Sequence, residues 1–180
     1  MKKIFAVIMA TVMGLSMMAC SSDDSESADG EDVAVETEIP GEVQTSGNIT
    51  LFVADGYKLH DGNMVAFVDD EVDPDQCYIQ QDDPVPSMYD YYWVKVTTAE
   101  SAESSVSMTK TVNEGEDLSI DTGNTSWTGC MYVYETFSEE LIDCGLIYTT
   151  IGDSVVTVTF VGHTPNSDEM NHFLDSISVG

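Results

Sequence analysis

The chain opens on Met1-Lys2-Lys3, runs from residue 4 to residue 19 without a charge, and then turns abruptly polar. Residues 21–46 hold nine acids, no base and almost no large apolar side chain. Such a composition buries too little surface to offset the entropy of ordering it, and predicts a disordered segment. From Asn48 onward the pattern changes to short apolar runs bounded by turn residues. Residues 49–53 read as a strand ended by Asp55-Gly56, residues 64–68 as a second strand, and residues 77–79 as a short third after Asp73-Pro74-Asp75. A helix is predicted over residues 87–105. Ser87 and Asp90 form an S-x-x-D box, and Met88, Tyr92, Val96 and Ala99 follow at helical spacing, although residues 93–98 are strand formers by type. A run over 106–112 and a polar turn at 114–117 precede two long strands, 127–137 and 141–151. Residues 154–161 alternate strictly, and the chain closes on a helix capped by Asn166 and Ser167, with Met170, Phe173, Leu174 and Ile177 on its apolar stripe.

These elements describe an α+β fold: a mostly antiparallel sheet of about six to seven strands with a mid-chain and a C-terminal helix, forming one sandwich domain over residues 48–180. The opening Ile49-Thr50-Leu51-Phe52-Val53-Ala54-Asp55-Gly56-Tyr57 resembles the start of PsbP/DcrB-like small lipoproteins. Their ending is similar to Val156-Thr157-Val158-Thr159-Phe160-Val161-Gly162, followed by Asp168-Glu169 and Phe173-Leu174-Asp175-Ser176-Ile177. The resemblance implies that family's sandwich and an accessory or binding role, and it brings no shared active site. The cysteines and the polar segment 113–126 lie outside the resembling pattern.

The N-terminal pattern adds an address. Sixteen uncharged residues are short for a bilayer span, which needs about 20, and the basic start reads as a secretory signal over residues 1–19. Met17-Met18-Ala19-Cys20 resembles the lipobox of bacterial lipoproteins, with Met17 where the family prefers Leu. That resemblance implies a diacylglyceryl group on Cys20 as the mature N-terminus, each buried methylene adding about 0.8 kcal/mol of membrane affinity. Residues 20–47 then form a lipidated cysteine and acidic tether. The domain is expected on the extracytoplasmic side of a cell membrane or outer membrane.

Charge narrows the partners. Beyond the leader, Lys58, Lys95 and Lys110 face 33 acids with no Arg, a net charge of −30. From residue 47 on, 24 acids and the same three lysines leave −21. Such a field repels phosphate backbones, so nucleic acid is excluded as a partner. The membrane, reached through the lipid, and an unidentified protein or glycan are the partners expected of a monomer.

Four constellations bear on chemistry. Three cysteines remain after Cys20; a disulfide is predicted between Cys130 and Cys144, provided the 127–151 hairpin turns about Phe137, with Cys77 left over. Asp69, Glu71, Asp73 and Asp75 are spaced like the start of a calcium loop, making Ca²⁺ the one cofactor to consider, though the glycine and the bidentate Glu of that loop are missing. His60, His163 and His172 lack zinc spacing, and Gly152-Asp153-Ser154 lacks the strand-to-helix context of a nucleophile motif. Tyr89, Tyr92 and Trp93 form a candidate platform for a sugar or peptide. The leading expectation is a lipid-anchored binding or accessory domain without catalysis. A carboxylate-dependent envelope hydrolase and a calcium-dependent module are the alternatives.

Overall fold

A computed structural model of the protein describes residues 39–62, 72–81 and 88–180. The strands among them are β1 (Gly41–Ser46), β2 (Ile49–Ala54), β3 (Tyr57–Asp61), β4 (Gln76–Gln81), β5 (Tyr91–Thr97), β6 (Glu116–Asp121), β7 (Ser126–Glu135), β8 (Leu141–Ile151), β9 (Ser154–Val161) and β10 (Ser178–Val179). Two helices, α1 (Ala99–Val112) and α2 (Asp168–Ser176), complete the set. Every pairing is antiparallel. One sheet has the order β3-β4-β5-β9-β8-β7-β6 and the other β1-β2-β10. The α+β class read from the sequence holds.

Period-2 alternation divides the seven-stranded sheet into two faces. Tyr92 and Val94 on β5, Val156, Val158 and Phe160 on β9, Ile147 on β8 and Trp127 on β7 all point inward and are buried. They meet Ile49, Leu51 and Val53 of the small sheet and Met170, Phe173 and Leu174 of α2 in one core. The β8–β9 hairpin turns on two residues, Gly152 and Asp153, with Gly152 at φ +60°, a conformation glycine adopts without penalty. Ser167 caps α2 by accepting from the Met170 amide at 3.2 Å. The opposite, outer face receives α1, which packs over β7, β8 and β9.

Three predicted elements differ. Residues 87–105 were expected as one helix, but 91–97 form β5, a central strand between β4 and β9. The helix starts only at Thr98, whose hydroxyl accepts from Ser101 N at 3.2 Å, and it absorbs the run 106–112. Asp90, expected inside the capping box, instead accepts a hydrogen bond from Tyr57. The polar turn expected at 114–117 ends at Gly115, and Glu116 opens β6, an edge strand whose Leu118 and Ile120 point inward between exposed polar residues. The tether was expected to reach residue 47, yet 41–46 pair with β2 over their whole length. That strand is exposed except toward Ser46, so backbone pairing rather than core burial holds it. The strand expected at 64–68 and the tether up to residue 38 lie outside the described residues.

Candidate functional site

The outer face is assembled by register. Directly opposed residues of antiparallel strands share a face, so His60, Tyr78, Trp93, Thr159 and Leu146 form one row across β3, β4, β5, β9 and β8. Lys58, Gln80 and Tyr91 lie in the row on one side, and Gln76, Lys95 and Thr157 in the row on the other. His60 and Tyr78 stack with ring centroids 4.6 Å apart and planes 8° from parallel. The flanking Tyr78, Tyr91 and Trp93 are each half-buried.

Beside this aromatic strip, α1 and the sheet enclose a groove of about 330 Å³. Trp93, Lys95, Thr97, Leu146, Thr157 and Thr159 form its floor, and Ser101, Ser105 and Thr109 its helical wall. The wall residues recur every four positions, which puts them on one helix face. Six of the nine lining side chains are hydroxyls. The Trp93 indole nitrogen is buried and finds no acceptor among the described residues.

Charge on this face departs from the rest of the molecule. The outward positions of β3, β4, β5, β9 and β8 carry Lys58, His60 and Lys95 and not one carboxylate. The third lysine, Lys110, is engaged with Asp117 at the far edge of the sheet.

A second polar cluster lies where β5 begins. Asp90 accepts from the Tyr57 hydroxyl at 2.7 Å, and His163 Nε2 approaches the same oxygen at 3.1 Å. The imidazole is aimed away from the line of a good hydrogen bond. Tyr92 is sandwiched between His163 at 3.7 Å and Phe173 at 4.0 Å. Burial, reinforced by Asp90, pushes the Tyr57 hydroxyl far above its ordinary range, and burial does the same to Tyr92. Tyr57 is thus a fixed proton donor, and the cluster ties the loop after β9 to the start of β5. An open cleft of about 470 Å³ runs past Asp90, Glu140 and Asp143, none of which is buried.

The predicted site residues scatter. Trp93 is on the outer face, but Tyr92 points the opposite way and is 4 % exposed in the core, as strand alternation requires. Tyr89 stacks on Tyr134 with centroids 6.2 Å apart, near the β7–β8 hairpin. The three therefore form no single platform, and Trp93 instead shares its row with Tyr78 and His60. Cys130 and Cys144 are free buried thiols, as is Cys77. The hairpin is centred on Ser138, so Cys130 pairs with Leu146 and Cys144 with Tyr132, two residues out of register for a bridge. Asp69 and Glu71 of the proposed metal set lie outside the described residues, as does Cys20. Asp73 accepts from Asp75 N at 3.0 Å and from Gln76 Nε2 at 2.9 Å, while Asp75 accepts from Asn48 at 2.8 Å. Both carboxylates serve to hold the turn before β4. Among the described residues no group of three metal-binding side chains converges.

No protein-family model matches the chain, and no curated protein matches it. Among solved structures it is similar to a crystal structure of a protein from Bacteroides thetaiotaomicron, with a TM-score of 0.45 and 9 % sequence identity. That similarity covers 79 % of this chain and 49 % of the other, so the chain spans about half the length of the protein it matches.

Proposed function

We propose that this chain is a lipid-anchored, extracytoplasmic binding domain that works without catalysis and receives its ligand on the outer face of the seven-stranded sheet. The observation that carries the reading is the groove of about 330 Å³ between α1 and the sheet, opening beside Trp93. Its volume falls at the lower end of small-ligand sites, which run to roughly 300–1,000 Å³. The accessory role that PsbP/DcrB-like lipoproteins imply agrees with it, and so does the Cys20 lipobox. A carboxylate-dependent hydrolase would use the cleft at Asp90, Glu140 and Asp143. Of its acids, Asp90 is already taken up by the Tyr57 hydroxyl, so the groove is the stronger site.

Two measurements test the proposal. Metabolic labelling with a fatty-acid analogue is expected to mark the wild-type chain and not Cys20→Ser; label that persists in the variant refutes the anchor. Retention of the purified Cys20→Ser chain, which carries no lipid, on a washed cell-envelope fraction is expected to drop when Ser105→Trp fills the groove. Equal retention of the two refutes the site.

A further inference from the structure

The outer face also says what class of ligand it suits. We infer that it binds a neutral polysaccharide, one stretch of the sugar chain lying on the row of Trp93, Tyr78 and His60 and continuing into the hydroxyl-lined groove. The inference rests on the binding role proposed above and supplies its ligand class.

Three observations converge. The first is charge: in a protein with 33 acids, the outward positions of five adjacent strands hold no carboxylate. A polycation would be met by acids, and a polyanion would be repelled by the surrounding net −21. An uncharged chain faces neither obstacle. The second is shape. Side chains of opposed residues on neighbouring strands lie about 5 Å apart, so Trp93, Tyr78 and His60 pave a strip roughly 10 Å across three strands. His60 and Tyr78 stack face to face on one another, so the pair stands as a wall beside the indole. The C–H face of a sugar ring packs on an indole, as its hydroxylated edges reach for polar neighbours.

The third is the chemistry of the groove wall. Thr97, Ser105, Thr109 and Thr159 offer hydroxyls that both donate and accept, matching the hydroxyls of a sugar, while Thr157 donates to the Lys95 carbonyl and Ser101 accepts from Thr98. A peptide binding by strand addition would instead call for free backbone groups at a sheet edge, and β5, β9 and β8 are interior strands whose ladders are occupied on both sides.

The experiment is affinity electrophoresis of the full-length chain through gels containing mixed-linkage β-glucan, α-mannan, soluble starch or polygalacturonate. Retardation is expected from at least one of the three neutral polymers and not from polygalacturonate. Trp93→Ala and Tyr78→Ala are each expected to weaken it about tenfold, and Ser105→Trp to abolish it, while Tyr89→Ala, beside Tyr134 near the β7–β8 hairpin, leaves it unchanged. Fluorescence supplies a check independent of folding. The chain has two tryptophans, and Trp127 is 1 % exposed, so the retarding polymer should change only the Trp93 emission, and Trp93→Phe, a milder change than alanine, should erase that response. Retardation by no neutral polymer, retardation only by polygalacturonate, or retardation indifferent to Trp93 overturns the inference. If Ser105→Trp still abolishes retention on the envelope fraction, the glycan assignment falls and the binding role stands. If that retention is also indifferent to the groove, both fall.

Discussion

Gly145→Ala adds one methyl group to β8, and the structure shows where it goes. Gly145 sits directly opposite Phe160 in the β8–β9 ladder, and the ring of this fully buried phenylalanine covers the bare glycine. A Cβ at 145 would stand 2.4 Å from Phe160 Cζ, 2.6 Å from Cε1 and 2.7 Å from the Cys130 carbonyl oxygen. Carbon atoms settle at about 3.5–4.0 Å, so the ring must retreat by roughly 1 Å. It has nowhere open to go, because Phe160 belongs to the same cluster as Tyr92, Ile147, Val158 and Phe173. Overpacking of this kind costs about 1–3 kcal/mol, and the stiffer unfolded chain of alanine returns about 0.4–1 kcal/mol. The net is a loss of about 1–2 kcal/mol, which lowers the Tm of a domain this size by about 2–8 °C. Circular-dichroism melts and urea titrations measure it, with an earlier midpoint and an unchanged slope expected. Phe160→Leu in the same chain removes the clashing ring, so the double variant should be less destabilised than the sum of the singles, by about 0.5 kcal/mol or more. A Gly145→Ala melt equal to that of the wild type, or strictly additive losses, refutes the packing argument.

Two further expectations concern titration and thiols. Burial raises Tyr57 and Tyr92 far above 10.0, and pushes Tyr132 and Cys77 up to about 12. A folded-state pKa above the unfolded value stabilises below the unfolded value and loses that contribution as pH rises, so stability should fall from about pH 9 to 10 upward. Tyrosinate absorbance should then rise in one step together with loss of the dichroism signal; smooth tyrosine ionisation in a chain that stays folded counts against the buried placement. In Cys20→Ser, the thiols of Cys77, Cys130 and Cys144 should resist an aromatic disulfide reagent while folded and release three equivalents on unfolding. A single equivalent would mean that the Cys130–Cys144 bridge forms after all.

What the sequence made legible depended on how local each signal was. The strands β2, β8 and β9 and the helix α2 stood out because their apolar residues recur at one period and their ends carry turn or cap chemistry. β5 did not, for a geometric reason. The spacing of four that joins Met88, Tyr92 and Val96 is an even number, and an even spacing keeps residues on one face of a strand as well as of a helix. Pairing with β4 and β9 decided the matter. β1 and β6 were hidden because edge strands draw on backbone bonds and leave their side chains polar. The candidate site was legible only at Trp93. Tyr78 and His60 come beside it through the order of three strands, which no local pattern encodes. The disulfide failed on a similar point, since moving the hairpin centre by one residue, from Phe137 to Ser138, displaces the paired positions by two.

The helix over the groove has a consequence for how tightly anything could be held there. Ala102 is its one buried side chain, while Met108 and Val112 face solvent. What fastens α1 is peripheral: the Thr98 cap, the Asn113 cap, the Lys110–Asp117 pair and the Cys130 thiol donating to the Val106 carbonyl. These are worth little each, so the helix belongs to the low-stability end of the molecule and can lift without disturbing the core beneath the sheet. The groove accordingly has one rigid jaw and one soft one. A thicker occupant can be admitted by a small displacement of α1, and part of every binding free energy is spent on settling the helix. Such a site favours breadth of ligand over tightness.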